Sequence, residues 1–313
     1  MQDSILMILF FLALGIAWRF VSPQGIGAGS LQRHLQVLAH GVILPIAVFF
    51  ILAKLPMNAV AMKILGYALA TTAVTLGVAW AWLRTTALAP ATKGALLIAA
   101  GFGNVLFLGV PLNKALIGDW SMRIAVEYGI LANVLLLYTA GAVLSRSFTE
   151  AGGAQFKSLV KEVLTQRFLL KEPLLWATAA GLIANLTGME FPAWFGAIQA
   201  AIYGFLPPLL LLSTALALNW TDAWKAQVVT VLPAAAIQLV LAPLVMWGMI
   251  SLFGSVGAKG GQALLLNSML PAALLGFAAC ERYKLDTGIY ALAFSLTTAL
   301  AIVTVPVWFN LLF

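Results

Sequence analysis

The sequence predicts an all-α polytopic membrane protein with ten transmembrane helices, arranged as two inverted five-helix repeats. The chain of 313 residues is 63% hydrophobic and only 9% charged, whereas a soluble domain has roughly 45–50% apolar and about 25% charged residues. Apolar stretches of about 20 residues, the length that crosses a hydrocarbon layer, recur along the chain. The bilayer is therefore the expected solvent for most of this protein.

The predicted spans are separated by polar loops, by glycine and proline clusters, and by basic residues. Residues 1–147 form the first repeat, 148–170 a cytoplasmic linker and 171–313 the second repeat. The spans are 4–21, 35–53, 62–83, 92–118, 121–147, 172–188, 193–218, 226–253, 260–282 and 286–312. Because each half contains an odd number of spans, the second half must insert upside down, which is the inverted repeat common in secondary transporters.

Prolines mark equivalent places in the two halves. Pro45 in span two matches Pro207 or Pro208 in span seven, and Pro111 in span four matches Pro271 in span nine. The linker has apolar residues at helical spacing with lysines beside them, a pattern typical of a helix lying on the bilayer surface. A solvated connector is the alternative for this linker.

Basic residues set the orientation, since cytoplasmic loops collect Lys and Arg. With the N-terminus outside, the inner loops hold Arg19, Arg33, Arg84, Lys93, Arg146, Lys157, Lys161, Arg167, Lys171, Lys225, Arg282 and Lys284, and the outer loops hold Lys54, Lys63, Lys114, Arg123 and Lys259. Both termini are thus predicted to be periplasmic. The net charge of +7 reflects these loops, and nucleic-acid binding is not expected.

Cysteine and histidine usage excludes several classes of protein. Cys280 is the single cysteine, so no intrachain disulfide can form, and no His/Cys cluster has metal-ligand spacing. We expect no cofactor and no metal. An enzyme would need a nucleophile, base or metal set facing one cavity, which the sequence does not offer, and a receptor of the same fold would bind a ligand without net flux.

Spans four and nine contain residues that interrupt helices. Span four has Gly101, Gly103 and Gly109 close to Pro111, whose ring crowds the preceding turn and whose nitrogen has no hydrogen to donate. Span nine has Pro271 in the middle of an apolar run. We predict a break in each span, at Pro111 and at Pro271. Unwound backbone at this depth is tolerated where it is buried in protein or lines a wet cavity.

Two such breaks would bring helix N-termini, with their free N–H groups, towards one point that suits a carboxylate. The predicted substrate-binding residues are Gly103, Asn104, Pro111, Asn133, Asn267, Ser268 and Pro271. Asn104 is the most important single side chain, because its amide is expected to donate to the substrate while its oxygen caps freed backbone. The alternative is that the prolines only kink the helices and the asparagines cap broken turns.

Acidic residues are scarce inside the spans, so Glu127 in span five is a candidate coupling carboxylate. It lies about 9 Å inside the outer end of its span, at ~1.5 Å per residue. Arg123 precedes it by one turn, and a plain interfacial ion pair between these residues is the alternative.

These motifs together resemble the auxin efflux carrier family, which includes bacterial organic-acid permeases and plant auxin exporters. The resemblance covers essentially the whole chain and is carried by Gly103, Asn104, Leu108, Gly109, Pro111, Pro271, Tyr283, Asp286, Ser295, Thr297, Thr298 and Pro306. In span three the plant exporters carry ionisable residues, whereas this chain has Thr71, Thr72 and Thr75. That difference argues against auxin as the substrate.

The resemblance implies a fold related to the bile-acid sodium symporters, in which the broken fourth and ninth helices cross at the substrate site. It further implies a homodimer through a scaffold of spans one, two, six and seven, and an elevator-like movement of the other six spans. We therefore expect a secondary transporter of a small organic anion in the bacterial inner membrane. The expected substrate is a mono- or dicarboxylate, and an auxin-like acid stays among the candidates. A sodium-coupled symporter is the alternative.

Overall fold

Helices account for nearly all of the residues that the structure describes. The computed structural model describes residues 2–55, 58–148, 172–219, 224–254 and 256–312. In chain order the helices are α1 (Gln2–Val21), α2 (Ala28–Ala53), α3 (Ala59–Arg84), α4 (Pro90–Gly101), α5 (Val105–Leu116), α6 (Asp119–Arg146), α7 (Pro173–Leu186), α8 (Ala193–Ala217), α9 (Gln227–Phe253), α10 (Ala258–Ser268), α11 (Gly276–Arg282) and α12 (Thr287–Leu312).

Six of these helices are long and apolar enough to cross a membrane, namely α2, α3, α6, α8, α9 and α12. Their lengths of 25 to 28 residues exceed the roughly 20 residues that a bilayer requires. This confirms an all-α protein with several membrane-spanning helices. The count of ten spans and the inverted relation of the two halves stay predictions, and the linker predicted at 148–170 falls, apart from Phe148, outside the described residues.

Helices α1, α2, α7 and α8 pack against one another. Gly181 lets α7 approach α2 closely, because a Cβ there would lie 2.9 Å from the carbonyl oxygen of Phe49. The amide of Asn185 donates to the carbonyls of Leu52, Ala53 and Leu55 at 3.0, 3.2 and 2.7 Å. These bonds satisfy the carbonyl groups that the C-terminus of a helix leaves without intrahelical partners.

Two interruptions separate pairs of short helices. The first break (residues 102–104) lies between α4 and α5, and the second break (residues 269–275) lies between α10 and α11. The prediction that Pro111 breaks its helix is wrong, because α5 continues through that residue. Pro111 directly follows the π-helical turn Val105–Gly109 within α5. A local widening of this kind accommodates a proline, which has no N–H to donate to the preceding turn.

Several helices contain wide π-helical turns, which are often associated with functional sites. Each of four such turns carries or adjoins a polar residue within an apolar helix. The turns span Ala39–Ile43 with His40, Val105–Gly109 after Asn104, Glu127–Val134 with Asn133, and Ile237–Leu241 with Gln238. Three of these turns supply side chains to the region where the two breaks meet.

Candidate functional site

The two breaks cross in contact with each other. Gly103 and Ala272 form an isolated antiparallel bridge. The N–H of Asn104 donates to the carbonyl of Pro271 at 2.7 Å, and the N–H of Ala273 donates to the carbonyl of Phe102 at 2.8 Å. Unwound backbone from one half of the chain therefore satisfies unwound backbone from the other, as buried polar groups require.

Side chains from neighbouring helices complete the bonding of the second break. Gln238 donates from Nε2 to the carbonyl of Leu270 at 2.9 Å, and the hydroxyl of Thr297 accepts from the N–H of Ala272 at 3.1 Å. The hydroxyl of Tyr290 donates to the carbonyl of Ala273 at 2.5 Å. The main-chain groups of the second break are thus largely occupied by protein partners.

The first break is held by an amide on α6. Asn133 donates from Nδ2 to the carbonyl of Gly103 at 2.9 Å, and its Oδ1 accepts from the hydroxyl of Thr72 at 3.2 Å. Gly103 has little space beside it, because an added Cβ would lie 3.0 Å from Nε2 of Gln238. A larger residue at this position would press on the amide that Gln238 donates to the second break.

The side-chain amide of Asn104 has a hydrogen-bond partner at its oxygen but none at its nitrogen among the described residues. Its Oδ1 accepts from the N–H of Leu274 at 3.3 Å, so the expectation that this oxygen caps freed backbone is confirmed. Its Nδ2 is buried without a hydrogen-bond partner among the described residues, and the residue is only 2% exposed. Leaving a buried donor unpaired costs about 1–3 kcal/mol, so the protein holds a donor here at the expense of its own stability.

The start of α5 adds further donors beside Asn104. The N–H groups of Leu106 and Phe107 have no acceptor within the described parts of the chain, as expected for the first turn of a helix. They lie at the positive end of the α5 dipole. Both residues line the same small cavity as Asn104, and this arrangement is typical of an anion site.

This central cavity is closed in the present conformation. Its volume is about 10 Å³, and Gly103, Asn104, Asn133, Leu137, Ala273 and Leu275 are among its lining residues. Such a volume holds about one water molecule. An organic substrate therefore needs the cavity to widen.

A much larger opening lies beyond Leu275. This vestibule has a volume of about 560 Å³ and is bordered by Gln32, Arg33, Gln36 and His40 of α2 and by Glu281 of α11. Leu275 lines both the vestibule and the central cavity. Leu275 is therefore a residue that the vestibule and the central cavity have in common.

Four of the predicted site residues, Pro111, Asn267, Ser268 and Pro271, are not among the residues that line the central cavity. Asn267 accepts from Nδ2 of Asn113 at 2.8 Å, and the hydroxyl of Ser268 donates to the carbonyl of Leu265 in its own helix at 2.7 Å. Pro111 lies beyond the π-helical turn in α5. Pro271 belongs to the crossing, where its carbonyl is bonded to Asn104.

Glu127 is buried in α6, with 2% of its surface exposed. Neither of its carboxylate oxygens has a hydrogen-bond partner in the described structure. The alternative of an ion pair with Arg123 is not realised, because no Arg123 nitrogen lies within 4 Å of these oxygens. Ionisable residues within membrane spans are rare and frequently mark functional sites.

Sequence reasoning missed Gln238, Tyr290 and the contact between His40 and Glu172, whose Nε2 and Oε1 atoms lie 2.7 Å apart. A lone glutamine in an apolar span was a usable signal for Gln238. The carbonyl to which Gln238 donates is determined by how the two breaks cross, and no local sequence pattern specifies that crossing. Within the described residues, no group of three or more His, Cys, Asp or Glu side chains could hold a metal ion.

Comparison with known proteins gives two matches along nearly the whole chain. The model of a family described as membrane transport protein matches residues 4–309. A transporter of Methanothermobacter thermautotrophicus, described as uncharacterized, is 23% identical over 308 residues, which cover 98% of this chain and 96% of the relative.

Proposed function

Because the chain belongs to the membrane transport protein family, that of the auxin efflux carriers, we propose that it moves a small organic anion across the inner membrane. The observation that carries this proposal is the unpaired Nδ2 of Asn104, buried beside the free N–H groups of Leu106 and Phe107. All three are donors. A site that offers donors without a free acceptor favours an anion over a cation or a neutral polar molecule.

A carboxylate is the anion whose charge this site suits best. A lysine or arginine at the same depth would itself have to be desolvated, which costs several kcal/mol. Helix N-terminal N–H groups supply partial positive charge without that cost. The substrate that we propose is a mono- or dicarboxylate whose carboxylate group enters the central cavity when the cavity widens.

The vestibule suggests the route to the site. Arg33 on its wall attracts an anion, and Leu275 is the side chain that must move before the anion reaches Asn104. The excess of Lys and Arg in the adjoining loops supports a cytoplasmic position for this side and a periplasmic position for both termini. Substrate from the cytoplasm therefore enters past α2 and α11.

The packing of the helices is compatible with alternating access by an elevator-type shift. Helices α1, α2, α7 and α8 pack together and form the proposed scaffold, which also provides the surface for a homodimer. The two breaks and the helices bonded to them form the proposed moving part. Crosslinks between subunits that run only through α5 or α10 would contradict this dimer.

The experiment that tests the proposed function combines binding with transport. Purified protein is heated with acetate, lactate, malonate, succinate or indole-3-acetate, because a ligand that binds only the folded state raises the melting temperature. Counterflow of the radiolabelled acids is then measured in proteoliposomes. We expect at least one acid to stabilise the protein and to exchange.

The decisive variant is Asn104→Ala, with Asn113→Ala as its matched control. Removing the Asn104 donor costs about 1–3 kcal/mol of binding, which is roughly a ten- to hundredfold loss of affinity. Asn113 is equally buried but pairs with Asn267 away from the cavity, so its loss lowers stability and leaves affinity unchanged. Parental transport by Asn104→Ala across a substrate titration would show that the site lies elsewhere.

A further inference from the structure

Two buried glutamates of this protein have opposite surroundings. Glu127 and Glu172 are each 2% exposed. Glu172 lies 2.7 Å from Nε2 of His40 and also accepts from the N–H of Leu174 at 3.4 Å. Glu127 has no partner on either oxygen within the described residues. Burial alone therefore does not explain the isolation of Glu127.

The charged residues on the helices packed against Glu127 are engaged elsewhere, whereas Arg123, on its own helix, has a buried Nε without a hydrogen-bond partner among the described residues. Glu127 lies in a turn of α6 that packs against α3, α5 and α7, and Arg123 is the residue whose charge acts on it electrostatically. On α3, Lys63 donates to the carbonyl of Phe253, Tyr67 donates to the carbonyl of Gly254, and Arg84 lies over the Trp80 ring. On α5, Lys114 donates to the carbonyl of Tyr203. At the start of α7, Glu172 contacts His40. Tyr128 and Tyr138 are the other titratable residues on this part of α6.

An ionised carboxylate in this position is energetically unfavourable. Moving an unpaired ion into a low-dielectric interior costs several kcal/mol even after relaxation, and such groups generally neutralise instead. A protonated acid is neutral and loses far less solvation energy on burial. The neutral acid is therefore the form of Glu127 that this closed conformation accommodates.

We propose that Glu127 is a proton-binding site, which holds a proton in the closed conformation and releases it when transport exposes the side chain to water. An O–H bond forms on one Glu127 oxygen with a proton from water on one side of the membrane, and that proton returns to water on the other side. The coupling of this proton to an organic anion rests on the proposed function. The protonation itself does not.

Infrared spectroscopy of the purified protein tests the protonation directly. A protonated carboxylic acid has a C=O stretching band that is distinct from the bands of a carboxylate. We expect the wild-type protein at neutral pH to show this band, Glu127→Gln to lose it, and Glu172→Gln, the equally buried but paired control, to keep it. Glu127→Asp keeps an acid and shifts the band, which provides the assignment if the glutamine variant does not fold. A band that is absent from the wild-type protein, or unchanged in both Glu127 variants, overturns the proposal.

Gradient-driven transport tests the coupling. In proteoliposomes, an imposed pH gradient is expected to drive accumulation of the acid that exchanges, and Glu127→Gln is expected to lose accumulation while keeping counterflow. Accumulation that follows a Na⁺ gradient instead, or that survives in Glu127→Gln, overturns the coupling role. If none of the five acids exchanges in the wild-type protein, the proposed function fails, whereas the infrared result still decides the proton site.

Discussion

The two breaks that form the crossing differ in what they leave unsatisfied. The second break has its backbone bonded by Gln238, Thr297, Tyr290 and the first break. The first break is followed by free N–H groups, and it contains Asn104, whose Nδ2 has no hydrogen-bond partner in the described structure. The longer interruption is thus a structural support, and the shorter one holds the groups that remain available to a ligand. The largest effects on binding should come from the first break and the largest effects on stability from the second.

The substitution Asn104→Asp is expected to have the largest effect. Aspartate keeps the oxygen that caps the N–H of Leu274, removes the donor and adds a negative charge to an anion site. The lost donor costs about 1–3 kcal/mol, and repulsion adds to this, so affinity should fall by more than about a hundredfold. A thermal-shift titration with the carboxylate that binds the parent protein measures this affinity. An unchanged affinity would contradict the assignment of ligand binding to the first break.

The substitution Thr297→Val should lower stability rather than affinity. It removes the hydroxyl that accepts from the N–H of Ala272 and leaves that buried donor unpaired, at a cost of about 1–3 kcal/mol of unfolding free energy. Thr298→Val is the matched control, because the Thr298 hydroxyl bonds only within its own helix. Reversible unfolding in detergent measures both variants. A loss of affinity in Thr297→Val at unchanged stability would contradict the supporting role of the second break.

The substitution Gln238→Met is expected to have a smaller effect on stability. It removes the donor to the carbonyl of Leu270, but it also removes Oε1, which is buried without a partner in the described structure. The two changes oppose each other, so we expect a net loss of about 1 kcal/mol. The same unfolding assay measures it, and a loss larger than that of Thr297→Val would reverse the proposed order.

The substitution Pro111→Ala should have the smallest effect. Pro111 lies within α5 and makes no part of either break, so alanine is accommodated there. Carboxylate affinity should change by less than about twofold, which is about 0.4 kcal/mol of binding free energy. A thermal-shift titration decides the point. A large loss of carboxylate affinity in Pro111→Ala would show that Pro111 belongs to the substrate site.

The sequence was sufficient to predict the membrane class, the interruption of two spans and the capping role of Asn104. These features depend on local properties, namely apolar length, glycine and proline content, and a lone amide among apolar residues. The position of the first break was predicted wrongly, because Pro111 is a strong local signal whereas residues 102–104 unwind to pair with residues 271–273. Pairing across some 170 residues is set by the tertiary fold, as are the partners of Gln238, Asn267 and Glu172.

The bridge between Gly103 and Ala272 has a kinematic consequence. The two main-chain hydrogen bonds on either side of it fix the distance and the relative direction of two segments that belong to opposite halves of the chain. Neither segment can rotate or translate alone without breaking both bonds in a medium with no water to replace them. α4, α5, α10 and α11 thus lose their independent degrees of freedom at the crossing, and any displacement there carries all four short helices together.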